Sequence, residues 1–212
     1  MYKMLIFDFD GTLADTYAIV NKVYYELLKT YDFPKLSNED INALRNVSSR
    51  EIIKSFNIPF WRLPNILRKA TPIYRELLPE SNLYPGIYAL LRVLAKEEYV
   101  LGILSSSSAS LITKYFESHD LMVFDFIEGG SPLFKKHRKL KRLLKSYKIH
   151  KQDVLYIGDE VRDIEASKKV GIDVAAVTWG YNSKEVLKRY SPTFLIDDTN
   201  KLEAILSPKN TT

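Results

Sequence analysis

From residue 85 onward, short apolar runs alternate with stretches of helical spacing, and this alternation constrains the fold more than any other feature of the sequence. Including the N-terminal run, the apolar runs occupy residues 4–9, 100–104, 123–127, 154–158, 174–178 and 193–196. Helical patterns occupy residues 87–97, 108–118, 137–147, 161–170, 183–190 and 200–206. Strands that are apolar on both faces need helices on both sides, as in a parallel sheet. The alternation therefore predicts an α/β fold with a doubly wound parallel sheet.

The residues between the first two apolar runs keep helical spacing and contain no good strand pattern. Helices are predicted over 14–31 and 61–78, with further helix starts near Asn38 and Ser49. Prolines at 34, 59, 64, 72 and 79 predict that these helices are short or begin at a proline. We therefore expect an α/β core, residues 1–15 and 83–212, interrupted by an all-helical insert over residues 16–82.

Several classes of protein are excluded by composition. The chain has no cysteine, so it has no disulfide scaffold, no zinc site with Cys ligands and no thiol nucleophile. Its longest apolar runs fall far short of the roughly 20 residues that a transmembrane helix needs. Too few apolar residues precede Asp8 to form the apolar region of a secretory signal. These observations predict a soluble, cytoplasmic protein with no membrane partner.

The basic residues are concentrated in one segment. The net charge is +5, but residues 135–151 hold nine Lys or Arg and no acid, whereas the rest of the chain holds 22 basic and 26 acidic residues. In the same segment Leu140, Leu143, Leu144 and Tyr147 have the spacing of a helical apolar face. The segment therefore predicts an amphipathic helix with a solvated basic face. Contact of that face with nucleic acid or an acidic protein is the weaker alternative.

Polar side chains follow the predicted strands at their carboxyl ends. In open parallel sheets these ends meet at one edge, where ligands bind. Carboxylates, hydroxyls and an ammonium group that converge there suit a divalent cation and a phosphate group. The residues concerned are Asp8 and Asp10 after the first strand, Ser105 and Ser106 after the second, Lys135 and Lys136 beyond the third, and Asp159 and Asp163 after the fourth.

The carboxylates have three kinds of chemistry available to them. Mg²⁺ is satisfied by one or two carboxylates with phosphate and water, and Asp8 and Asp159 can supply those two. A carboxylate such as Asp8 can also attack phosphorus and form an aspartyl-phosphate. Asp10 can then protonate the leaving alcohol and later deprotonate water.

Phosphate oxygens need donors and a counter-charge at the same edge of the sheet. The hydroxyl of Ser105, with Ser106 and neighbouring backbone N–H groups, is predicted to hold them at the start of helix 108–118. Lys136 is predicted to offset the negative charge that accumulates between Asp8 and the incoming phosphate.

These residues form a series that resembles the four motifs of the haloacid dehalogenase superfamily. Residues 8–15 read DFDGTLAD and resemble its first motif, DxDGT. The apolar strand that ends at Ser105 resembles the second motif, Lys136 the third, and residues 158–163, GDEVRD, the fourth. The helical insert lies where that family carries a helical cap. The resemblance implies a Rossmann-like core with such a cap.

The resemblance also implies roles. Asp8 would be the nucleophile and Asp10 the acid/base. Mg²⁺ would be held by an Asp8 oxygen, the backbone carbonyl of Asp10 and Asp159, with Asp163 behind them or orienting Lys136. Members that attack carbon lack an acid at the position of Asp10, so the sequence is similar to members that transfer phosphoryl groups.

Two assignments stay open at this point. The segment 131–136, SPLFKK, departs from the Lys-Pro pair common in the similar phosphoglycolate-phosphatase-like group, which leaves Lys135 and Lys136 as candidates. Lys136 is preferred because similar branches read Phe-Gly-Lys. Among the four serines at 105–108, Ser105 is the candidate for phosphate, with a helix N-cap role as its alternative.

In the insert, Arg50 lies in a segment, residues 47–51, that resembles one facing the substrate in capped relatives, although a solvated helix arginine is the favoured interpretation. The sequence as a whole predicts a Mg²⁺-dependent phosphatase for a small phosphorylated metabolite, phosphoglycolate-like or a sugar phosphate. A mutase of β-phosphoglucomutase type is the alternative, and a non-catalytic anion or nucleic-acid binder is less favoured. Oligomeric state is not determined by the sequence.

Overall fold

A six-stranded parallel sheet forms the centre of the molecule, as expected for a doubly wound α/β fold. The computed structural model describes residues 2–131 and 134–206, so the predicted end of the core at 207–212 lies outside the described residues. The strands are β1 (Met4–Phe7), β2 (Val100–Leu104), β3 (Phe126–Glu128), β4 (Val154–Gly158), β5 (Asp173–Val177) and β6 (Phe194–Ile196). Their order in the sheet is β3-β2-β1-β4-β5-β6.

Helices cover both faces of this sheet. Alternate residues of β1 lie on opposite faces of the sheet. Leu5 and Phe7 belong to one apolar cluster, whereas Met4 and Ile6 belong to the other. The first cluster is closed by α5 (Ile87–Leu94), α6 (Ala109–Ser118) and α10 (Thr199–Leu206). The second is closed by α7 (Lys136–Ser146), α8 (Val161–Val170) and α9 (Lys184–Arg189). Burial on both faces explains why the strands are continuous apolar runs, and the predicted fold class is confirmed.

The residues between β1 and β2 form the helices α1 (Tyr17–Leu27), α2 (Asn38–Ala43), α3 (Ser49–Ser55) and α4 (Leu63–Leu77), with short 3₁₀ turns over Leu44–Asn46, Phe60–Arg62 and Leu78–Glu80. Ile19, Val23 and Leu27 of α1 pack against Ile66 of α4 in a separate small apolar cluster. Ser37 and Ser48 cap α2 and α3 through capping boxes. We call residues 16–82 the cap; its division from the core at these boundaries stays a prediction.

The chain leaves and re-enters the core at one point. Ala14 bridges to Leu83, the N–H of Asp15 donates to Asn82, and the N–H of Tyr84 donates to Leu13. These contacts delay the first helix, which begins at Tyr17 instead of residue 14 as predicted and ends at Leu27 instead of 31.

The third strand is also shorter than predicted, because it begins at Phe126 and not at residue 123. Asp125 explains the difference. Its N–H donates to the Leu101 carbonyl over 2.8 Å, and its carboxylate accepts from the Leu101 N–H over 2.8 Å. A side chain thus takes the place of a backbone acceptor, and the regular ladder starts one residue later.

The basic helix α7 buries Lys136, Leu140 and Leu143, whereas Tyr147 after its end is exposed. Lys139 and Arg142 on its outer side form ion pairs with Glu128 of β3. Among residues 2–131 and 134–206, no helix has both the length and the apolar character needed to cross a bilayer.

Candidate active site

Strands β1 and β4 lie side by side and deliver two acids to the same edge of the sheet. Phe7 pairs in register with Ile157, so Asp8 follows the end of β1 next to Gly158 and Asp159. Asp163, one turn into α8, joins them. All three carboxylates are buried, and each has an oxygen within 4.8 Å of the others. The structure therefore brings together three of the acids that the sequence singles out.

Lys136 lies at the start of α7 and contacts two of these acids. Its Nζ donates to Asp8 Oδ2 over 2.5 Å, to Asp163 Oδ1 over 2.7 Å and to the Tyr156 hydroxyl over 2.9 Å. Lys136 is 1% exposed, whereas the neighbouring Lys135 points to solvent. Of the two candidate lysines, only Lys136 reaches the carboxylates among the contacts of the described residues. Burial lowers the pKa of Lys136, but Asp163 and Asp8 outweigh that effect and raise it overall.

The buried carboxylates outnumber the ammonium group that neutralises them. Burial raises the pKa of Asp8 to about 6 although Lys136 opposes this, and burial together with Glu160 and Asp163 raises the pKa of Asp159 well above its usual range. A buried site with surplus negative charge and oxygen donors is favourable for a hard divalent cation. The donor set of Asp8, Asp159 and Asp163 therefore fits Mg²⁺.

The orientation of Asp159 is fixed by two donors. The Thr12 hydroxyl donates to its Oδ1 over 2.7 Å and the Tyr181 N–H to its Oδ2 over 2.7 Å. Gly11, at φ +75°, lies so close that a Cβ there would stand 2.3 Å from Asp159 Oδ2. Only glycine combines that backbone conformation with that close approach.

The carboxylate of Asp10 is separate from the three-acid cluster and is surrounded by hydroxyl groups. Ser107 donates to its Oδ2 over 2.7 Å, Thr16 donates to its Oδ1 over 3.2 Å, and Tyr74 of α4 also donates to Oδ1. Burial and the charge of Asp10 raise the pKa of Tyr74, so this phenol stays a donor. The sequence did not indicate that these three hydroxyls contact Asp10. Tyr74 in particular fits the apolar face of its helix and lies 64 residues from Asp10.

The serine loop after β2 also lies at the site. Ser105 is 1% exposed, and its hydroxyl accepts the N–H of Ser107 over 3.1 Å. Ser106 lines a cavity between the cap and the core. Ser105 is therefore held by the loop, while Ser107 reaches Asp10.

The cap touches the core through the segment that contains Arg50, but Arg50 itself makes only exposed contacts with the core, away from the acids. The Arg50 side chain is 55% exposed, 4.0 Å from Glu165, and lies over the Phe134 ring. Arg45 instead donates from Nη2 to the Gly180 carbonyl over 2.8 Å, and Ser49 donates to Glu160. The structure does not bring Arg50 to the acids, and the arginine of the cap that lies near the site is Arg45, which the sequence did not indicate.

A cavity of about 720 Å³ lies between cap and core and reaches Asp10. Its core side includes Ser106, Ser107 and Tyr181, and its cap side consists mainly of apolar side chains of α1 and α4. Asp10 lines this cavity, whereas Asp8 is 1% exposed and is not among the residues that line it.

The chain matches known proteins over nearly its whole length. A phosphoglycolate phosphatase from Synechococcus elongatus is 32% identical over 201 residues, which cover 94% of this chain and 95% of the relative. A pyrophosphatase PpaX from Listeria welshimeri is 27% identical and covers 95% of each chain.

A solved structure supports the fold. The haloacid dehalogenase-like family hydrolase from Streptococcus pneumoniae superimposes with a TM-score of 0.81 at 21% identity and covers 97% of this chain and 99% of the other. The family model for the haloacid dehalogenase-like hydrolases matches residues 5–177. That match spans every motif on which the predicted resemblance rests. The chain belongs to the haloacid dehalogenase-like hydrolase family.

Proposed function

We propose that this hydrolase cleaves a phosphomonoester in a Mg²⁺-dependent reaction through an aspartyl-phosphate on Asp8. The observation that carries the proposal is the buried contact of Lys136 with Asp8 and Asp163, at the sheet edge next to a cavity that Asp10 lines. The proposal assigns Asp8 as nucleophile, Lys136 as counter-charge and Asp10 as acid/base. The similarity to a phosphoglycolate phosphatase supports phosphate esters as the substrates.

The first step transfers the phosphoryl group to the protein. A carboxylate oxygen of Asp8 attacks phosphorus, and the bond between phosphorus and the ester oxygen breaks. Asp10 gives its proton to the departing alkoxide, so the product leaves as a neutral alcohol. Because Ser107 and Tyr74 donate to Asp10, its carboxyl group is held in one orientation for that transfer.

The second step restores the enzyme. Water attacks the phosphorus of the aspartyl-phosphate, Asp10 takes the proton of that water, and the bond to Asp8 breaks to release phosphate. The Asp8 carboxylate and the protonated Asp10 are then ready for another ester.

Groups on the core are proposed to stabilise the negative charge of the carboxylates and the phosphate. Lys136 neutralises part of the negative charge that two carboxylates and a phosphate bring together. Ser105, Ser106 and the backbone N–H groups of their loop are the proposed donors to the phosphate oxygens. Asp8, Asp159 and the backbone carbonyl of Asp10 would hold Mg²⁺, with Asp163 beside them. When bound, Mg²⁺ polarises the phosphoryl group and offsets its charge.

The experiment is phosphate release from a panel of esters, with Mg²⁺ or with EDTA. The panel contains phosphoglycolate, sugar phosphates, nucleotides and an aryl phosphate, with pyrophosphate included because of the PpaX relative. Asp8→Asn removes the nucleophile with little change of shape, and Asp32→Asn is the matched control at an exposed position. We expect Mg²⁺-dependent release that the Asp8 variant loses and the Asp32 variant keeps. Equal release by the Asp8 variant and the unmodified protein would contradict the proposal.

A further inference from the structure

The cavity beside Asp10 is larger and more apolar than a two-carbon ester needs. Its volume of about 720 Å³ falls in the range of roughly 300–1,000 Å³ that is typical for pockets of drug-sized ligands. We call its cap wall the apolar chamber, defined by Val20, Val23 and Leu27 of α1 and Ile66, Leu67 and Ala70 of α4.

The wall of the apolar chamber is incompletely covered by protein. Val20 is 39% exposed and Leu67 is 46% exposed, and both face the cavity. Apolar surface in contact with water is unfavourable, at about 25 cal/mol per Å². The side chains of Val23, Leu27 and Ile66 already pack in the apolar cluster of the cap. Val20 and Leu67 therefore offer the surface that a ligand can still cover.

The cations that line the cavity are only partly engaged. Among the described residues they are Arg45 and Arg162. Arg162 donates to Glu160 Oε1 from Nε over 2.9 Å and from Nη2 over 2.5 Å, whereas its Nη1 is buried and has no hydrogen-bond partner in the part of the chain that the structure describes. Arg45 donates to the Gly180 carbonyl and stacks on the Tyr17 ring, 5.5 Å from its centroid.

Arg45 also keeps a donor for a polar contact. Its Nε is buried and has no hydrogen-bond partner in the part of the chain that the structure describes. The polar side of the cavity can therefore meet an oxygen of the alcohol, and the feature that narrows the substrate class is the apolar chamber.

From these observations we infer the substrate class: a phosphomonoester whose alcohol carries an extended, branched or aromatic apolar group, which lies in the apolar chamber against Val20 and Leu67. The inference rests on the proposed phosphatase function, because it takes Asp10 as the residue at the ester oxygen. The apolar group displaces water from the chamber, and its burial holds the ester oxygen at Asp10 while the phosphate reaches Asp8. Phosphoglycolate, with two carbons and a carboxylate, uses none of this surface.

The test is a homologous series of n-alkyl phosphates from ethyl to hexyl, with phosphoglycolate as the reference. The alcohols of this series have nearly the same acidity, so the chemical step is constant and only the buried apolar surface changes. We expect kcat/KM to rise by up to about fourfold per methylene, and at least tenfold in total, until the chamber is filled. A flat series, or phosphoglycolate cleaved tenfold better than hexyl phosphate, overturns the inference.

A pair of variants ties the effect to the apolar chamber. Leu67→Asp places a charge in its wall, and Met122→Asp is a control at a position of similar exposure, 51%, away from the cavity. The ratio of kcat/KM for hexyl to ethyl phosphate is expected to fall at least tenfold in the Leu67 variant and to stay unchanged in the Met122 variant. An unchanged ratio in both variants overturns the inference.

The two proposals fail in different ways. If short esters are cleaved with Mg²⁺ but chain length has no effect, the phosphatase function stands and the inference about the substrate fails. If no ester of either panel is cleaved, both fail.

Discussion

The floor of the site and its roof are built on different principles. The floor, on β1, β4, α7 and α8, consists of buried charged groups, in which Lys136 donates to Asp8 over 2.5 Å and to Asp163 over 2.7 Å. The roof, on α1 and α4, consists of apolar side chains such as Leu67 that are partly exposed to the cavity. Under the proposed function, the chemistry belongs to the buried groups at the sheet edge and selectivity to cap side chains, so a substitution in the roof should change selectivity and leave the floor intact.

The largest effect is expected for Lys136→Met. Removing one partner of a buried ion pair typically costs about 3–5 kcal/mol, because Asp8 and Asp163 are left with uncompensated charge. Loss of a group that stabilises developing charge should also lower kcat by about 10²–10³. Urea unfolding and phosphate release measure the two effects.

Lys135→Met is the matched control for that variant, since the two lysines are adjacent and only Lys136 is buried. It should change the free energy of unfolding by less than about 0.5 kcal/mol. Similar losses of stability and of kcat in the Lys135 and Lys136 variants would contradict the importance of the buried ion pair.

The next effect probes a hydrogen bond between roof and floor, that of Tyr74 with Asp10. Tyr74→Phe removes the hydroxyl and keeps the ring, so Asp10 loses a donor and its fixed orientation. We expect kcat to fall by about fivefold, which corresponds to the ~1 kcal/mol typical of one hydrogen bond. Tyr25→Phe, at an exposed tyrosine of the same cap, is the control and should leave kcat unchanged.

A third effect concerns how the binding of Mg²⁺ at the floor depends on pH. The raised pKa of Asp8, about 6, means that protons compete with Mg²⁺ as the pH falls through that value. Mg²⁺ should therefore raise Tm more at pH 7.5 than at pH 5.5, by the mass action of a ligand that binds only the folded state. Differential scanning calorimetry with Mg²⁺ or EDTA measures this. The same Tm shift at both pH values would contradict the assignment of Asp8 as a ligand, whereas Leu67→Asp in the roof should not alter the shift.

The smallest effect is expected at Arg50. Its contact with Glu165 is an exposed pair at 4.0 Å, and such pairs contribute about 0–1 kcal/mol. Arg50→Ala should change kcat/KM less than twofold for every ester. A tenfold loss for one ester would place Arg50 in the roof after all.

The sequence predicted the floor far better than the roof, and the reason is physical. Asp8, Asp159 and Asp163 follow apolar strands, so the geometry of a parallel sheet places them at one edge without further information. The position of Lys136 is harder to predict from the sequence, because it depends on where α7 begins. The preference for it over Lys135 rested on the family resemblance, and burial of Lys136 agrees with that choice.

The contacts of the roof depend on packing between distant parts of the chain. Tyr74 meets Asp10 across 64 residues, and Arg45 meets Gly180 across 135 residues. Neither pair has a spacing signature, and Tyr74 looks like any other residue of an apolar helix face. The late start of β3 likewise depended on the side chain of Asp125, which a pattern of apolar residues does not reveal.

In the proposed mechanism Asp8 accepts the phosphoryl group and Asp10 moves the protons. The most direct test is peptide mass analysis of acid-quenched Asp10→Asn protein after reaction with p-nitrophenyl phosphate and Mg²⁺. Nitrophenolate leaves without protonation, so the first step proceeds, whereas the water of the second step lacks its base. We predict a burst of about one nitrophenolate per protein and a phosphoryl group on Asp8. A burst with the phosphoryl group on another residue, or steady turnover with Asp8 unmodified, would contradict the account.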